Sequence, residues 1–310
     1  MIIKILGSGA GGGFPQWNCN GTHSAGVRAG NKGYRPRTQS SLAVSADGKN
    51  WVLLNASPDL RQQIAQTPQL QPNPSGPKRN SPIKAAVLTN ADVDHIVGLI
   101  HLRERQPFSI YGSEQVMATL DANSIFEVCA RDVVPRHRLE LDKPAKLSGD
   151  GIDLGLTVIP FAVPGKIALF LEHGSETDNF GSRDGDTIGL EVRDDKTGKS
   201  FFYIPGCAEV DAPLAKRIKG AGLVFFDGTL FTDGEMIDQG LMQKTGHRMG
   251  HISMSGADGS IAAFTPLDVK RRIYVHINNS NPALDETSQA RKTVEQAGWE
   301  VGYDGMEVAL

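Results

Sequence analysis

The chain has 310 residues, of which 39% are hydrophobic, and its formal net charge at pH 7 is −3. A chain of this length can bury an ample core without disulfides, and its three cysteines are too few and too scattered for the disulfide framework of a secreted protein. The 32 basic and 35 acidic side chains form no stripe of one sign, and no apolar segment is long enough to span a membrane. We therefore expect a cytoplasmic globular protein that neither binds nucleic acid nor inserts into a membrane.

Runs rich in valine, isoleucine, leucine and aromatic residues predict ten β-strands, and most of these runs end in glycine, asparagine, aspartate or proline. In chain order, the predicted strands cover residues 2–6, 41–44, 51–54, 85–89, 108–111, 156–161, 188–192, 201–204, 223–226 and 273–277. Apolar periodicity predicts helices over residues 60–66, 96–105, 114–123, 210–218 and 286–297.

Several of the predicted strands follow one another without a helix between them, which does not fit a regular alternation of strand and helix. This order favours a layered α/β fold with sheets inside and helices outside. Residues 66–82 contain five prolines and almost no apolar side chains, so we expect a long exposed loop there. The part before this loop would hold too few elements for a core of its own, so we expect residues 1–310 to form a single domain.

A glycine-rich loop follows the first predicted strand. Residues 7–12 match G-x-G-x-x-G, but a dinucleotide site also needs a helix directly after the motif and an acidic residue about 20 positions on. Neither is present, so we interpret the loop as backbone that comes close to a pocket. Gln16 and Trp17 are candidate substrate contacts; the Trp17 ring either stacks on a planar ligand or fills a gap beneath its own loop.

Four polar residues are concentrated between the strand at 85–89 and the helix that follows it. The segment from Asn90 to His95 carries Asp92 and Asp94 as well, in the order N-A-D-V-D-H. One aspartate could simply cap the helix. Carboxylates and an imidazole packed this closely are electrostatically costly without a cation, so the cluster predicts a metal site.

This strand–turn–helix resembles the H-x-H-x-D-H signature of the metallo-β-lactamase superfamily, and four further segments resemble that superfamily in its order. These are residues 53–59, 203–207, 224–228 and 274–276. Residues 7–19, 163–166, 250–256 and 274–282 are more specifically similar to the family of coenzyme PQQ synthesis B proteins. The resemblance implies a four-layer αββα sandwich with the active site along one edge of the two sheets.

The resemblance also implies which metal ligands are lost. Asn90 and Asp92 stand where the superfamily has two histidines of its first metal position, and no histidine occurs near Val163 for the third. Cys207 stands where a bridging carboxylate is usual, and it is a candidate ligand, a reactive thiol or an inert buried residue. Asp92 is a candidate additional ligand and catalytic residue, and Asn90 a candidate to support the ligands or to contact the substrate.

The second metal position keeps its ligands, which the resemblance assigns to Asp94, His95 and His276. Two histidines and one carboxylate form the facial triad of non-haem iron enzymes. We therefore predict a mononuclear Fe(II) site with dioxygen as co-substrate, and Zn²⁺ is the alternative metal.

Two other sites stay open at this stage. The resemblance places His251 beside the reacting group, as proton shuttle or substrate contact, whereas the alternative is a loop histidine bonded to backbone. Cys19 and His23 supply at most half of a structural zinc site, since no further cysteine follows Cys19 nearby.

The resemblance implies a role in the biosynthesis of pyrroloquinoline quinone (PQQ), a redox cofactor built from a glutamate and a tyrosine of a precursor peptide. Combined with the predicted iron site, it suggests oxidation or hydroxylation of the tyrosine-derived ring. One alternative is a carrier that binds PQQ or its precursor and passes it toward the periplasm without catalysis; the other is a metal-dependent hydrolase. The oligomeric state is open, with a homodimer as one alternative.

Overall fold

The computed structural model describes residues 1–171 and 183–310. Within these ranges, the strands form two mixed sheets of seven strands each. The first sheet contains β1 Ile2–Gly7, β2 Ser41–Ser45, β3 Trp51–Leu54, β4 Ile83–Val87, β5 Ser109–Gly112, β6 Arg136–Arg138 and β14 Glu307–Ala309, in the order β14-β1-β2-β3-β4-β5-β6. The second contains β7 Ala145–Gly149, β8 Ile152–Ala162, β9 Ile188–Asp194, β10 Ser200–Ile204, β11 Val224–Asp227, β12 Arg272–Val275 and β13 Glu300–Val301, in the order β13-β12-β11-β10-β9-β8-β7.

The helices of the described residues are short. They are α1 Thr22–Arg28, α2 Leu60–Gln66, α3 Val93–Ile96, α4 Glu114–Ala122, α5 Ala212–Ile218, α6 Glu235–Asp238, α7 Ser260–Phe264 and α8 Gln289–Gln296. Brief 3₁₀ helices lie at Pro68–Leu70, Val97–Leu102, Ser124–Val128, Leu169–Leu171, His247–Met249, Thr265–Leu267 and Pro282–Leu284. In the part of the chain that the structure describes, no helix combines the length and apolar character needed to cross a bilayer.

Three apolar layers hold the sheets and helices together. The layer between the two sheets includes Ile5 and Phe225, which are fully buried. A second layer packs helices against the outer face of the first sheet, as Trp51 and Leu120 illustrate, and a third does so on the second sheet around Phe226. Central strands such as β3 and β11 are buried on both faces, which explains their unbroken apolar runs. The predicted αββα sandwich is therefore confirmed.

Each of the ten predicted strands overlaps an observed strand, and the four strands that were not predicted are β6, β7, β13 and β14. These four are the outer strands of the two sheets. An outer strand is paired on one side only and needs less apolar surface, as the exposed side chains of β6 and β14 show. Their sequences therefore carry little of the hydrophobic pattern from which strands are predicted.

The helix predicted over 96–105 is wrong in type. The segment forms the short helix α3 and then a 3₁₀ helix over Val97–Leu102. The backbone N–H of Gly98 donates to the Ala56 carbonyl, 2.9 Å away, and a Cβ at Gly98 would stand 2.1 Å from the Ser57 carbonyl oxygen. The Gly98 N–H is thus bonded to the loop after β3, and it is not available for the hydrogen bond that it would form inside a regular α-helix.

The proline-rich loop is shorter than predicted. Gln66 still belongs to α2, and Leu70, in the following 3₁₀ helix, is 1% exposed because it packs into the apolar layer that contains Trp51. Residues 71–79 are exposed as predicted.

Glu235, in the first turn of α6, is a buried carboxylate with 4% exposure. It accepts hydrogen bonds from the Ser280 hydroxyl at 2.6 Å and from the backbone N–H of Phe231 at 2.8 Å. Burial disfavours the charged form more strongly than these bonds favour it, and it raises the pKa of Glu235 to about 6.

We expect this carboxylate to make the protein less stable as the pH rises from about 4.5 to above 6. The folded state keeps the proton of Glu235 up to about pH 6, whereas an ordinary glutamate loses it near pH 4.5, so the unfolded state binds fewer protons in this window. The free energy of unfolding of the wild type should fall by roughly 2 kcal/mol relative to that of Glu235→Gln. Urea unfolding of both proteins across this range tests this, with Glu114→Gln on the surface as control. A pH-independent difference would contradict it.

Candidate metal centre

The ends of parallel strands bring the polar residues of both sheets to one edge. Strand β4 is parallel to β3 and β5, and β11 is parallel to β10 and β12, so the segments that follow them emerge on a common side of each sheet. The two sheets are joined at this edge, where the N–H of Ile188 donates to the Thr89 carbonyl at 2.9 Å. Residues after β4 and after β12 therefore face each other.

Asp94, His95 and His276 meet at this edge, with one ligand atom of each within 4.8 Å of the others. Asp94 Oδ2 lies 3.1 Å from His276 Nε2 and 3.9 Å from His95 Nε2. Atoms that share a metal ion at about 2 Å each are separated by comparable distances. The structure thus brings together the three residues predicted as ligands, although His276 lies 182 positions from Asp94.

The His95 ring is oriented by Asn90. Its Nδ1 lies 2.6 Å from the Asn90 amide oxygen, which can only accept, so Nδ1 carries the hydrogen and Nε2 carries a lone pair. That Nε2 is buried and has no hydrogen-bond partner in the described structure. Burial, opposed by the charge of Asp94, lowers the pKa of His95 to about 4, so the ring is neutral at neutral pH. A buried imidazole lone pair aimed at a carboxylate fits a cation between them.

Asp94 and His276 share a proton in the absence of a cation. Burial opposes ionisation of Asp94, but the neighbouring His95 and the hydrogen bond from His276 outweigh it and hold the pKa of Asp94 well below its usual range. Burial likewise disfavours charged His276, yet its bond to Asp94 raises the pKa of His276. A metal ion would take the place of this proton. The donor set of the three residues therefore fits a divalent metal.

Asn90 and Asp92 are hydrogen-bonded to each other. The Asn90 amide donates to Asp92 Oδ2 at 2.9 Å, and its oxygen accepts the Asp92 backbone N–H at 3.1 Å. Asn90 is buried, and with His95 as a further partner its amide has little capacity left for a substrate, so the geometry gives no support to the predicted substrate contact. Asp92 is outside both groups of potential metal ligands found in the described residues, and its ligand and catalytic roles remain predictions.

The glycine-rich loop covers the carboxylate of Asp94. A Cβ added at Gly11 would stand 3.5 Å from Asp94 Cγ, at ordinary van der Waals distance, so the backbone of the loop lies directly against this carboxylate. The loop is tied to the chain next to His276, since Ala10 N–H donates to the Ile277 carbonyl and Ile277 N–H to the Ser8 carbonyl, both at 2.9 Å. His276 itself adopts φ of +56°, a left-handed conformation that non-glycine residues seldom adopt outside constrained sites.

Gln16 and Trp17 lie on the far part of this loop. The Gln16 side chain accepts a hydrogen bond from the Asn279 amide at 2.6 Å, and its backbone carbonyl accepts one from Arg28. Trp17 is 85% exposed, so it does not fill a gap beneath its loop. Stacking of Trp17 on a planar ligand stays a prediction, as does contact of Gln16 with substrate.

A second polar group adjoins the first and contains one residue that the sequence reasoning missed. His251 Nδ1 donates to Asp227 Oδ2 at 2.6 Å, and the His251 ring stacks on that of His276 with centroids 5.2 Å apart. Asp227 is fully buried; His251 outweighs the effect of burial and lowers the pKa of Asp227. Asp227 lies in the segment 224–228 already singled out by resemblance, and an acid that ends an apolar strand was the available signal.

Asp227, His251 and His276 could in principle hold a further metal ion. Their facing atoms, however, already form hydrogen bonds. Besides His251, Asp227 accepts the backbone N–H groups of Cys207 at 2.9 Å and Thr229 at 3.0 Å and the Thr229 hydroxyl at 2.7 Å. A carboxylate with four donors around it needs no cation. This group is therefore better described as a hydrogen-bonded support for the two histidines.

The side chains of the remaining candidate ligands contact groups other than Asp94, His95 and His276. The Cys207 thiol is buried and donates to the Glu209 carbonyl at 3.0 Å; burial raises the pKa of this thiol, which keeps it protonated. The Cys19 sulfur accepts the Gly21 N–H at 3.3 Å, and His23 Nδ1 lies 3.2 Å from the Tyr34 hydroxyl. Within the described ranges, none of these three residues belongs to a group of potential metal ligands.

His251 connects the site to a cavity of about 440 Å³. Its walls combine apolar surface with polar side chains, among them Ser253, Ser255, Asp233 and Asp258. The ring of His251 is partly accessible, with 17% side-chain exposure, so a molecule in this cavity can reach it. His251 thus lies between this cavity and the group formed by Asp94, His95 and His276.

Comparisons with known proteins identify the family to which this chain belongs. Residues 50–277 match the model of the Beta-lactamase superfamily domain. The chain is 50% identical to coenzyme PQQ synthesis protein B from Gluconacetobacter diazotrophicus, covering 99% of this chain and 98% of that protein. It is 49% identical to the protein of the same name from Bradyrhizobium diazoefficiens, over the full length of both.

A solved structure with high sequence identity also resembles this chain over its whole length. It is zinc-bound PqqB from Methylobacterium extorquens, with a TM-score of 0.93, 47% sequence identity and coverage of 100% of both chains. A TM-score of 0.93 over the full length of both chains shows that the two share the same fold. The chain therefore belongs to the β-lactamase superfamily and, within it, to the family of coenzyme PQQ synthesis B proteins.

Proposed function

We propose that this protein acts in PQQ biosynthesis as a metal-dependent enzyme that oxidises the tyrosine-derived ring of a PQQ precursor. Family membership supports the role in PQQ biosynthesis. The observation that carries the enzymatic part is the buried pair of imidazoles with a carboxylate, in which His95 Nε2 has no hydrogen-bond partner among the described residues. A pure carrier has no need for such a costly arrangement.

Asp94, His95 and His276 would hold the metal. We propose a single Fe(II), because a facial set of two histidines and one carboxylate is the ligand set of non-haem iron oxygenases. When bound, Fe(II) supplies a redox centre at which dioxygen can react. Oxidation of a phenol by one dioxygen to an ortho-quinone and one water is balanced in atoms and electrons, so no external reductant is needed.

His251 would handle protons in this reaction. Its Nδ1 is committed to Asp227, which leaves Nε2 as the atom that can accept the phenol proton of a substrate in the adjoining cavity. The partial exposure of His251 supports this role, since the ring can exchange its proton with solvent afterwards. The cavity offers apolar surface for a ring and the polar side chains of Ser253, Ser255 and Asp258 for the polar groups of a small precursor.

Zinc is the alternative metal, and the relative from Methylobacterium extorquens was solved in a zinc-bound form. Zinc has no redox chemistry, so a protein that works with zinc would be a hydrolase or a carrier of PQQ or its precursor. The loss of the histidines replaced by Asn90 and Asp92 argues against the hydrolase.

The test compares one preparation loaded in two ways. Anaerobically purified protein is stripped of metal, reloaded with Fe(II) or Zn²⁺, and given ¹⁸O₂ with a tyrosine-containing precursor. We expect ¹⁸O in the ring product with Fe(II) only, read by mass spectrometry. Absence of oxygenated product with iron would refute the oxidation; turnover with zinc without oxygen would favour the hydrolase, and tight PQQ binding without turnover would favour the carrier.

A further inference from the structure

The hydroxyl of Thr229 lies at the centre of the polar contacts beneath the metal cluster. Its Oγ1 is 2.7 Å from Asp227 Oδ1, 2.8 Å from His276 Nδ1 and 3.1 Å from His251 Nδ1. Thr229 is 5% exposed, so bulk water does not compete for these contacts. The arrangement of hydrogens is therefore decided by the protein groups alone.

A hydroxyl has one hydrogen to donate and two lone pairs with which to accept. Asp227 Oδ1 is a carboxylate oxygen that already accepts the backbone N–H of Thr229, so it has no hydrogen to offer. The other acceptor near the Thr229 hydroxyl is the His276 backbone carbonyl, 3.0 Å away. The contact with Asp227 is shorter and its oxygen is charged, so the hydroxyl hydrogen is donated to Asp227. Oγ1 is left as an acceptor for the imidazoles.

The two histidines compete unequally for that acceptor. His251 Nδ1 lies closer to Asp227 Oδ2, at 2.6 Å, than to Thr229 Oγ1, at 3.1 Å, so its N–H is satisfied by the carboxylate. Thr229 Oγ1 is then the acceptor for His276 Nδ1–H. When a metal ion takes the place of the proton that His276 shares with Asp94, the hydrogen stays on Nδ1 and the lone pair is on Nε2, the atom 3.1 Å from Asp94 Oδ2.

We propose that Thr229 is a positioning residue that keeps His276 in the Nδ1–H tautomer and thereby directs Nε2 to the metal. The hydrogen-bonded chain runs from Asp227 through the Thr229 hydroxyl to His276. Hydrogen bonds to the non-ligating nitrogen fix the orientation and tautomer of metal-bound histidines and strengthen binding. The proposal rests on the metal site of the proposed function but not on its oxidation reaction.

The test replaces the hydroxyl by a methyl group of the same size. Thr229→Val should bind Zn²⁺ about 10- to 100-fold more weakly than wild type, whereas Thr229→Ser, which keeps the hydroxyl, should bind close to wild type. Competition with a chromogenic chelator measures the affinity of metal-stripped protein. Thr119→Val is the matched control, because Thr119 is buried and its hydroxyl bonds a carbonyl within α4.

Nitrogen NMR of zinc-loaded wild type with ¹⁵N-labelled histidine provides a readout that does not depend on any variant. We expect the His276 signals of a ring that is protonated at Nδ1 and metal-bound at Nε2. Binding through Nδ1, wild-type affinity in Thr229→Val, or equal weakening in Thr229→Ser and Thr229→Val would overturn the role of Thr229. A wild-type protein that binds neither Zn²⁺ nor Fe(II) would instead overturn the metal site on which both proposals depend.

Discussion

Replacing His276 by alanine is expected to abolish stoichiometric binding of Fe(II) and Zn²⁺. Of the three residues Asp94, His95 and His276, His276 alone follows a strand of the second sheet, and without it Asp94 and His95 would hold the ion from one side only. Loss of a residue that supports a ligand weakens metal binding by roughly 10- to 100-fold, and loss of the ligand itself should weaken metal binding further. Metal analysis after gel filtration, together with the thermal shift on adding metal, measures the effect. Saturating metal at about 100 times Kd should stabilise wild type by roughly 2.7 kcal/mol and leave His276→Ala unchanged.

His137→Ala is the control for this experiment, because His137 is exposed and its ring stacks on Tyr111, away from the cluster. Asp94→Ala should behave as His276→Ala does. Wild-type metal content in either variant would show that the ligand set is wrong.

Replacing His251 by alanine is expected to separate metal binding from turnover. His251 contacts His276 by stacking but lies outside the group of Asp94, His95 and His276, so metal content should be unchanged. If it moves a proton to or from the substrate, the rate constant for ring oxidation should fall by about 10²- to 10⁴-fold. Single-turnover measurements with Fe(II)-loaded protein and dioxygen give this rate.

Asp227→Asn should cause a related loss of rate, since the Nδ1–H of His251 would then face an amide instead of a carboxylate. His101→Ala serves as control, because His101 Nε2 contacts only the Pro58 carbonyl among its hydrogen-bond partners in the described structure. Unchanged turnover in His251→Ala would show that His251 does not transfer protons in the reaction.

The polar segment after β4, at the C-terminal ends of the strands of the first sheet, could be predicted from local sequence. Asp94 and His95 follow a buried strand and begin a helix, and this succession is encoded in adjacent residues. The αββα layering was implied by resemblance and supported by the apolar runs of the central strands. The outer strands β6 and β14 escaped prediction because one of their sides is unpaired and their exposed side chains follow no apolar pattern.

The hydrogen-bond partners of the ligands could not be predicted in the same way. Asn90 was interpreted through the histidine missing at its position, yet its structural effect is to fix the tautomer of His95. Thr229 is an ordinary residue in the sequence, and it matters because β11 and β12 are neighbours, so that the turn after β11 comes next to His276. Cys207 stands at a ligand position by resemblance, but its thiol is turned to the Glu209 carbonyl.

The sequence by itself determined the family, the buried strands and the identity of the three candidate ligands, because these depend on motifs and on hydrophobic patterns carried by neighbouring residues. Only the tertiary structure decided which nitrogen of each histidine faces Asp94 and which groups are already satisfied. The physical reason is that tautomers and hydrogen-bond partners depend on differences of tenths of an ångström between contact distances, such as 2.6 and 3.1 Å for the two partners of His251 Nδ1. These contacts join residues from both sheets that are far apart in the chain, 182 positions in the case of Asp94 and His276.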